Sequence, residues 1–530
     1  MKNSRSLSLL AFFGGALAVA FALIHAMKSA STIGIAPVID DAFYSLSVSR
    51  HLALGHGLSV DGLQPTNGFQ PLWVFLCSGL SWLLGGDRLA TLRSALVLST
   101  VVWIGFAIAM GRYARALARG QGMEGTTAGL CATLLSIGSY RVFRHFHNGL
   151  ETGLAILLLT LALAQLFSLQ HGRHWVLKTG LLFALLIYAR LDSAVFVALY
   201  GATQLLLGLR ERQFRWRPIV ACALGGLALV LWLLRNLRLD GHVMPSSGRM
   251  EALFPNLHEN VLATLKALVW WALPAGDLLP AWLRMHSMLN KVIFLCLGAV
   301  AIACFVLVCR KGRWRAMVFG ESTLPLVLHL GFLVVFYTAF FAAPWFQERY
   351  LSPSVTLFIP LLALGMEGLA DRYQRYVPAV LGLIVFANLA AMGLSARGSV
   401  ATTNSLFTVQ KTYAEKYVDP SCVLGAGQSG TLGYFRDRVV NLDGKVNRSA
   451  LDAIVTDRLA DYVAHESNVD VFVDWQVYAP PRVGKRGETF QLAQDMGKFQ
   501  SWVRIGREHC VLGQATIRPD PYGGEILSRF

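Results

Sequence analysis

Eleven apolar segments, each near the length that crosses a bilayer, recur along this chain and leave few folds open to it. They lie at residues 7–27, 90–111, 125–140, 152–169, 178–190, 194–209, 218–234, 290–309, 323–342, 353–369 and 377–395. A helix needs about 20 apolar residues to cross the hydrocarbon core. Hydrophobic residues make up 55% of the 530-residue chain, and only 15% are charged. The pattern predicts a mainly α, polytopic transmembrane helical bundle.

The basic residues between these segments predict the side of the membrane on which each loop lies. With the N-terminus inside, every second loop is basic, as the positive-inside rule requires. This alternation holds only if residues 70–85 form a helix along the outer surface instead of crossing. The C-terminus is then outside. The net charge of +16 is a topology signal and implies no nucleic-acid partner.

The chain divides into two parts in this topology. Residues 1–395 form the transmembrane module, with residues 28–89 as its first external loop, and residues 396–530 form a soluble external domain. Strands at 421–425, 469–475 and 509–517 and a helix at 449–464 predict an α/β fold for this domain.

Two features of the C-terminal domain allow alternative readings. The glycine-rich residues 425–430 follow a strand but lack the Lys and Ser/Thr of a phosphate-binding loop, so a plain turn is favoured. Cys422 and Cys510 would face an oxidising compartment, which permits a disulfide. The sequence leaves that pairing open because it does not give the distance between the two cysteines.

The unusual polar motifs all lie on the external side of this topology. They are Asp40-Asp41, residues 66–70, residues 144–151, residues 190–192, residues 242–249 and residues 347–350. The internal loops carry little besides topology charges. A chain that collects its special residues on one membrane face is predicted to build a site there.

Each of these motifs also has a purely structural interpretation. One aspartate is enough to start a helix, so the pair Asp40-Asp41 beside a bilayer indicates chemistry. Glu151 stands three residues after Asn148, as in a helix cap, and capping and function explain it equally well. Arg190 and Asp192 either neutralise each other or form part of a site.

The remaining candidates are basic or metal-binding. His145 and His147 have no clear third ligand, which argues against a metal site. Arg249 and Arg349 are either surface anchors or ligands for a phosphate. Thr66–Trp73 predicts an ordered loop followed by a surface helix.

The order of motifs resembles the GT-C superfamily of membrane glycosyltransferases. DDAFY, R-x-L-x-x-G-x-G from Arg50 and TNGFQPLW are similar to the first external loop of bacterial members, especially relatives of mycobacterial arabinofuranosyltransferases. NGLET, ARLDS, PSSG before Arg249, ERYLSP and the late GYF…VVNLDGKVN also resemble elements of bacterial relatives, which include members like protein O-mannosyltransferases. The resemblance implies a polyprenyl-phosphate-linked sugar donor and a periplasm-facing site in the bacterial inner membrane.

The resemblance also implies roles for individual residues. Asp40 matches the catalytic base by its position, and Asp41 would orient the acceptor or assist a divalent metal. Gln70 stands where some lipid A aminoarabinose transferases carry a lysine, so Arg249 and Arg349 are the candidate ligands of the donor phosphate. The expected sugar and acceptor pocket consists of Asn67, Gln70, His145, Glu151, Arg190 and Asp192.

The expected reaction is inverting transfer of a sugar to a hydroxyl group of an envelope glycan, lipid or protein. A phosphate is a good leaving group, so one carboxylate base and positive charge at the phosphate would suffice. The alternatives are a transporter or flippase of lipid-linked sugars and a non-enzymatic envelope-assembly protein. No internal repeat is evident and the polar clusters lie at one face, which favours the enzyme over the transporter.

Overall fold

The computed structural model describes residues 2–28, 37–167, 172, 174–272, 320–342, 344–369, 374–396, 404–476, 489–496 and 499–513. The apolar segment at 290–309, which the sequence predicts to span the membrane, lies outside these residues.

The ten other predicted spans each coincide with a helix, and the mainly α fold class is confirmed. The helices before the C-terminal part are α1 (Lys2–Ala26), α2 (Asp40–Ala53), α3 (Pro71–Leu83), α4 (Arg88–Gly120), α5 (Thr126–Ile137), α6 (Tyr140–Phe146), α7 (Thr152–Leu166), α8 (Trp175–Ala189), α9 (Ala194–Glu211), α10 (Trp216–Asp240), α11 (Ser246–Glu251), α12 (Leu257–Ala272), α13 (Leu324–Ala339), α14 (Gln347–Tyr350), α15 (Val355–Glu367) and α16 (Val377–Ala396).

Six helical segments among the described residues are long and apolar enough to cross a membrane. Five shorter apolar helices accompany them. The outward faces of these helices carry large apolar side chains. Phe12, Leu209 and Phe386 are each at least 70% exposed. Such faces are stable against lipid, because lipid tails are as apolar as the side chains. The predicted surface helix at 70–85 corresponds to α3, which packs against α2.

The C-terminal part contains helices and one five-stranded sheet, which agrees with the predicted α/β character but has more strands than the three predicted. Its elements are α17 (Asn404–Tyr417), β1 (Leu424–Ala426), α18 (Gly430–Phe435), β2 (Val439–Asn441), α19 (Arg448–Val455), α20 (Leu459–Asp461), β3 (Val471–Trp475), β4 (Phe490–Asp495) and β5 (Phe499–Arg504). The strand order is β2-β1-β3-β5-β4. β1 is parallel to β2 and β3, with Leu424 opposite Val439 and Val471, and β5 is antiparallel to β3 and β4.

Three predicted elements of this part need correction. The helix predicted at 449–464 is broken after α19 and resumes as α20 and a π-helical turn, Tyr462–Glu466. The strand predicted at 421–425 begins only at Leu424. The strand predicted at 509–517 is wrong at its start, because residues 508–510 form a 3₁₀ turn and only Val511 makes an isolated bridge. Residues 514–517 lie outside the described part of the chain.

Cys422 and Cys510 form a disulfide with their Cα atoms 5.9 Å apart. It joins the entry to β1 with the turn that follows β5. The pairing that the sequence leaves open is therefore present, and both cysteines are buried in the core between the sheet and α17.

The glycine-rich segment after β1 is a turn into α18, as predicted. Its backbone amides are occupied by acceptors of the protein itself. The N–H of Gly427 donates to Asp474 at 2.6 Å, that of Ser429 to the Tyr44 hydroxyl at 3.2 Å and that of Gly430 to Asp40 at 3.0 Å. The turn therefore binds side chains instead of a phosphate.

Candidate active site between the helical bundle and the C-terminal sheet

Asp40, the first residue of α2, points its carboxylate at the N-terminus of α18. One oxygen accepts from the backbone N–H and the hydroxyl of Thr431, both at 2.7 Å, and the other accepts from the N–H of Gly430 at 3.0 Å. Burial raises the pKa of Asp40 to about 6, although these bonds act in the opposite direction. Asp40 thus attaches the start of α2 to α18 of the C-terminal part.

Asp41 points in a different direction, because successive residues of an α-helix are about 100° apart. Its carboxylate lies 3.1 Å from the Arg349 guanidinium and 3.8 Å from the Lys445 ammonium. Burial alone would raise the pKa of Asp41, but the charges of Lys445 and Arg349 outweigh it and hold this pKa below its ordinary value. Asp41 is therefore ionised and held by two cations.

Lys445 comes from the turn between β2 and α19, and the sequence-based site did not include it. Its ammonium lies 2.9 Å from Glu251 of α11. Burial lowers the pKa of Lys445, but Asp41 and Glu251 dominate and raise it well above its ordinary value. The only feature of the sequence that points to Lys445 is its position inside the late motif VVNLDGKVN, and the motif alone indicates no role for it.

Two cavities meet at Asp41. The bundle cavity, of about 410 Å³, is lined by Asp41, Gln70, Glu151, Arg190, Asp192, Glu251, Tyr337, Arg349 and Lys445, and by apolar residues such as Leu229, Leu233 and Phe336. The interface cavity, of about 260 Å³, is lined by Asp40, Asp41, Arg144, His145, Trp345, Glu348, Arg349, Phe407 and Gln428. Asp41 and Arg349 line both cavities, so a molecule in either one reaches the same carboxylate.

Arg190 and Asp192 form an ion pair at the wall of the bundle cavity, in which Arg190 is buried and Asp192 is 12% exposed. The Tyr337 hydroxyl donates to Asp192 at 2.7 Å, and Arg190 donates to the backbone carbonyl of Arg349 at 3.2 Å. Glu151 lies in the same wall, and burial raises its pKa despite the nearby Arg349 and Arg190. The pair therefore neutralises itself and also fixes the segment that carries Arg349.

Gln70 and Asn67, both from the motif TNGFQPLW, differ in their positions. Gln70 lines the bundle cavity, and its side-chain oxygen accepts from the N–H of Leu191 at 3.2 Å. Asn67 lies outside both cavities, and its side-chain oxygen accepts from the N–H of Ser246 at 3.0 Å. It holds the start of α11 in place.

Arg249 also lies away from the two cavities. Its guanidinium is 3.4 Å from Asp240 and 3.7 Å from Asp452. These contacts join the end of α10 to α19. Of the two arginines considered for a phosphate, the structure brings only Arg349 to Asp41.

The two histidines do not share a site. His145 lines the interface cavity, and its Nδ1 lies 2.9 Å from the carbonyl of Arg141. Both ring nitrogens of His147 are engaged, with the carbonyl of Phe143 and the hydroxyl of Thr100, each at 3.0 Å. His147 is fully buried inside the bundle.

A divalent metal does not fit the donor set around Asp41. Its charged neighbours within 4 Å are the cations Arg349 and Lys445, whereas Mg²⁺ and similar ions need several oxygen ligands. Within the described ranges, the one group of three potential ligand atoms close enough for an ion is Cys422, His509 and Cys510. Its two cysteines form the disulfide.

The sequence matches no protein-family profile and no curated protein. Two solved proteins with similar structures are ArnT and an archaeal oligosaccharyltransferase. ArnT from Cupriavidus metallidurans in the apo state is 13% identical, with a TM-score of 0.56 over 94% of this chain and 99% of ArnT. The same protein bound to undecaprenyl phosphate gives a TM-score of 0.54 over 95% and 99%.

The oligosaccharyltransferase of Archaeoglobus fulgidus, in a complex with Zn and sulfate, is 11% identical. Its TM-score is 0.55, over 88% of this chain and 68% of the archaeal enzyme. Both proteins are members of the GT-C superfamily. The resemblance noted from the motifs is therefore confirmed at the level of the fold, and the chain has the GT-C fold.

Proposed function

We propose that this protein transfers a sugar from a polyprenyl phosphate to a hydroxyl group of an acceptor, with inversion at the anomeric carbon. The observation that carries the proposal is that Asp41 and Arg349 line two cavities at once. Such an arrangement lets a donor in one cavity and an acceptor in the other reach the same carboxylate. The fold shared with ArnT, whose structure holds undecaprenyl phosphate, supports a lipid-linked donor.

The bundle cavity suits the donor. Its apolar wall includes Leu229 and Leu233 of α10 and Phe336 of α13, and this wall can accept a polyprenyl chain. Its polar end presents Arg349 for the phosphate. Gln70, Glu151, Arg190 and Asp192 line the space between them, which we assign to the sugar.

The interface cavity suits the acceptor. Trp345, Phe346 and Phe407 give it aromatic surface, and His145, Arg144 and Gln428 provide polar groups. Aromatic faces with a few polar groups are typical of sites that bind organic ligands in one orientation. We propose a hydroxyl group of an envelope glycan, lipid or protein as the acceptor.

In the proposed reaction, the acceptor oxygen attacks the anomeric carbon from the face opposite the phosphate. A carbon–oxygen bond to the acceptor forms as the bond to the phosphate oxygen breaks, and the electron pair leaves with the phosphate. The acceptor proton passes to a carboxylate, for which we propose Asp41. The Arg349 guanidinium stabilises the negative charge that grows on the leaving phosphate.

Asp41 is a better candidate for the base than Asp40, to which the resemblance assigns this role. Three donors from Gly430 and Thr431 already engage the Asp40 carboxylate. Asp41 is held by ionic contacts that a phosphate can take over, and it adjoins both cavities. We therefore propose Asp40 as a positioning residue that fixes the start of α2.

The proposed location is the bacterial inner membrane, with the site on the periplasmic side. The division into residues 1–395 and 396–530 then places the site at the junction of a membrane module and a soluble domain. Ion pairs such as Asp41–Lys445 cross this junction.

The test is Asp41→Asn in the full-length protein in membrane vesicles that contain undecaprenyl phosphate carrying a radiolabelled pentose or hexose. A general base contributes about 10²–10⁴-fold, so we expect the rate of labelled acceptor formation to fall by that factor. The exposed Asp461, outside both cavities, gives the matched control Asp461→Asn, which should transfer at the normal rate.

Two results would refute the proposal. One is normal transfer by a correctly inserted Asp41→Asn protein. The other is movement of the labelled lipid across the bilayer without any new covalent product, which would identify a transporter.

A further inference from the structure

We propose that Lys445, from the C-terminal domain, is a ligand of the donor phosphate, so that the membrane module alone has an incomplete donor site. This inference rests on the proposed function and extends it to a residue that the sequence motifs left without a role. Lys445 and Val446 line the bundle cavity, together with Arg349 and Glu251 from the membrane module.

The turn that carries Lys445 is held in one conformation. Asp443 accepts a hydrogen bond from the N–H of Lys445 at 2.8 Å, and its other oxygen lies 3.4 Å from the Tyr44 hydroxyl of α2. Gly444 between them has φ +78°, which a residue with a side chain rarely adopts. The backbone thus directs the lysine side chain toward the membrane module.

The same turn is docked against that module through its backbone. The Ser246 hydroxyl, at the start of α11, donates to the Lys445 carbonyl at 2.7 Å. Gly68 lies so close that a Cβ there would be 2.1 Å from this carbonyl oxygen. Two segments of the membrane module therefore fix the position from which the Lys445 side chain starts.

The Lys445 ammonium has ionic contacts that it can exchange for contacts with a phosphate. Its side chain is only 16% exposed and lies between Glu251 at 2.9 Å and Asp41 at 3.8 Å. A lysine ammonium is a flexible point charge with three donors, so it can turn from these carboxylates to a phosphate oxygen. Such a charge also stabilises the leaving phosphate, on which negative charge increases as the bond breaks.

This movement would connect donor binding with the base. The positive charges of Lys445 and Arg349 hold the pKa of Asp41 down. When a phosphate engages both cations, their effect on Asp41 weakens and its affinity for the acceptor proton rises. Asp41 then becomes a stronger base only after the donor has bound.

The experiment measures binding of undecaprenyl phosphate to the full-length protein in lipid nanodiscs. Charge-assisted hydrogen bonds of this kind correspond to about 10–100-fold in affinity. We expect Lys445→Met to bind undecaprenyl phosphate more weakly by that factor and Lys445→Arg to recover most of the loss. The donor KM should rise for Lys445→Met while the acceptor KM stays unchanged.

Lys411 provides the matched control. It belongs to the same domain, is 12% exposed and is paired with Glu415 at 3.1 Å, but it lines neither cavity. Lys411→Met should bind undecaprenyl phosphate like the unaltered protein. If Lys445→Met is unstable, the comparison of Lys445→Arg with Lys445→Gln, both retaining polar contacts, replaces it.

The outcomes separate this inference from the proposed function. Unchanged affinity in Lys445→Met, or an equal loss in Lys411→Met, would assign Lys445 to domain docking alone and overturn the inference. The proposed function would still hold if Asp41→Asn abolished transfer. Normal transfer by Asp41→Asn would overturn the function whatever the lipid-binding result.

Discussion

Asp40 and Asp41 show how far the environment of a residue can differ from that of its neighbour. Both are acidic and lie in the first turn of α2, yet Asp40 contacts hydrogen-bond donors of α18 and Asp41 contacts two cations. Their pKa values shift in opposite directions for this reason. The sequence places the pair at a helix start, but not the partners that come from residues 349, 430–431 and 445.

The first prediction at the residue scale concerns Asp40 and pH. Burial raises the pKa of Asp40 from its ordinary value of 3.8 to about 6. The folded protein thus holds this proton more tightly than the unfolded chain. The stabilisation is complete below about pH 4 and is lost as the pH rises through about 6. It amounts to roughly 3 kcal/mol in the free energy of unfolding.

Asp40→Asn removes this titration. We expect the unfolding temperature of the variant, relative to that of the unaltered protein, to rise between pH 5 and pH 7. Tryptophan fluorescence during heating in detergent measures both unfolding temperatures. For Asp461→Asn, at an exposed position, the difference should stay constant over this range. A constant difference for Asp40→Asn as well would show that the proton is not held there.

At the scale of elements, the motif TNGFQPLW and the turn after β2 form one unit. In the motif TNGFQPLW, the side chain of Asn67 accepts a hydrogen bond from the start of α11, and that of Gln70 accepts one from the backbone of Leu191. Between them, Gly68 allows the carbonyl of Lys445 to approach closely. The motif therefore positions three segments around the bundle cavity.

Gly68→Ala tests this close approach. The added methyl group would lie 2.1 Å from the Lys445 carbonyl oxygen and 2.9 Å from the Ser246 hydroxyl. The turn would have to move by about 1 Å, and a displacement of that size can cost about 10²-fold in rate. We expect the rate of sugar transfer in vesicles to fall about 10- to 100-fold, with normal membrane insertion.

Gly79→Ala in α3 is the control, because none of the atoms that the structure describes would lie within 4 Å of a Cβ at this position. Its transfer rate should be normal. Equal rates for Gly68→Ala and the unaltered protein would mean that the turn can shift without consequence, and that its docking does not position the site.

The sequence predicts elements of the bundle better than those of the sheet. An apolar run near bilayer length satisfies its own backbone hydrogen bonds in a membrane only as a helix, so the ten described spans coincide with helices. The strands β1 and β2 have three residues each, too short for a periodic pattern. β4 was missed because its inner and outer positions do not alternate regularly.

The candidate site was only partly predictable for a related reason. Asp41, Glu151, Arg190, Asp192 and Arg349 are charged residues at the ends of apolar segments, where a charge is conspicuous. Lys445 lies in a polar domain, where charged residues are common and a lysine is no sign of a functional site. Arg249 has the same conspicuous position as Arg349, but its partners Asp240 and Asp452 come from α10 and from the C-terminal domain. The spacing of residues along the chain does not predict contacts between segments that are distant in sequence.

At the scale of the whole molecule, the charge pattern and the disulfide point to the same orientation. Basic loops are retained on the cytoplasmic side, and a disulfide such as Cys422–Cys510 persists in an oxidising compartment. Both observations predict that the C-terminal domain and the two cavities face the periplasm. The two arguments are independent, since one uses loops of the bundle and the other uses the sheet.

The last prediction tests this orientation with single introduced cysteines and a membrane-impermeant maleimide. Val455, 53% exposed at the end of α19, represents the C-terminal domain, and the exposed Arg210 in the last turn of α9 represents a basic loop. We expect Val455→Cys to react in spheroplasts and Arg210→Cys to react only in inverted vesicles, because the bilayer separates the two positions. The unaltered protein gives the background from its own cysteines, of which Cys77 and Cys131 are buried. Labelling of Arg210→Cys in spheroplasts, with Val455→Cys protected, would reverse the orientation and place the proposed transfer on the cytoplasmic face.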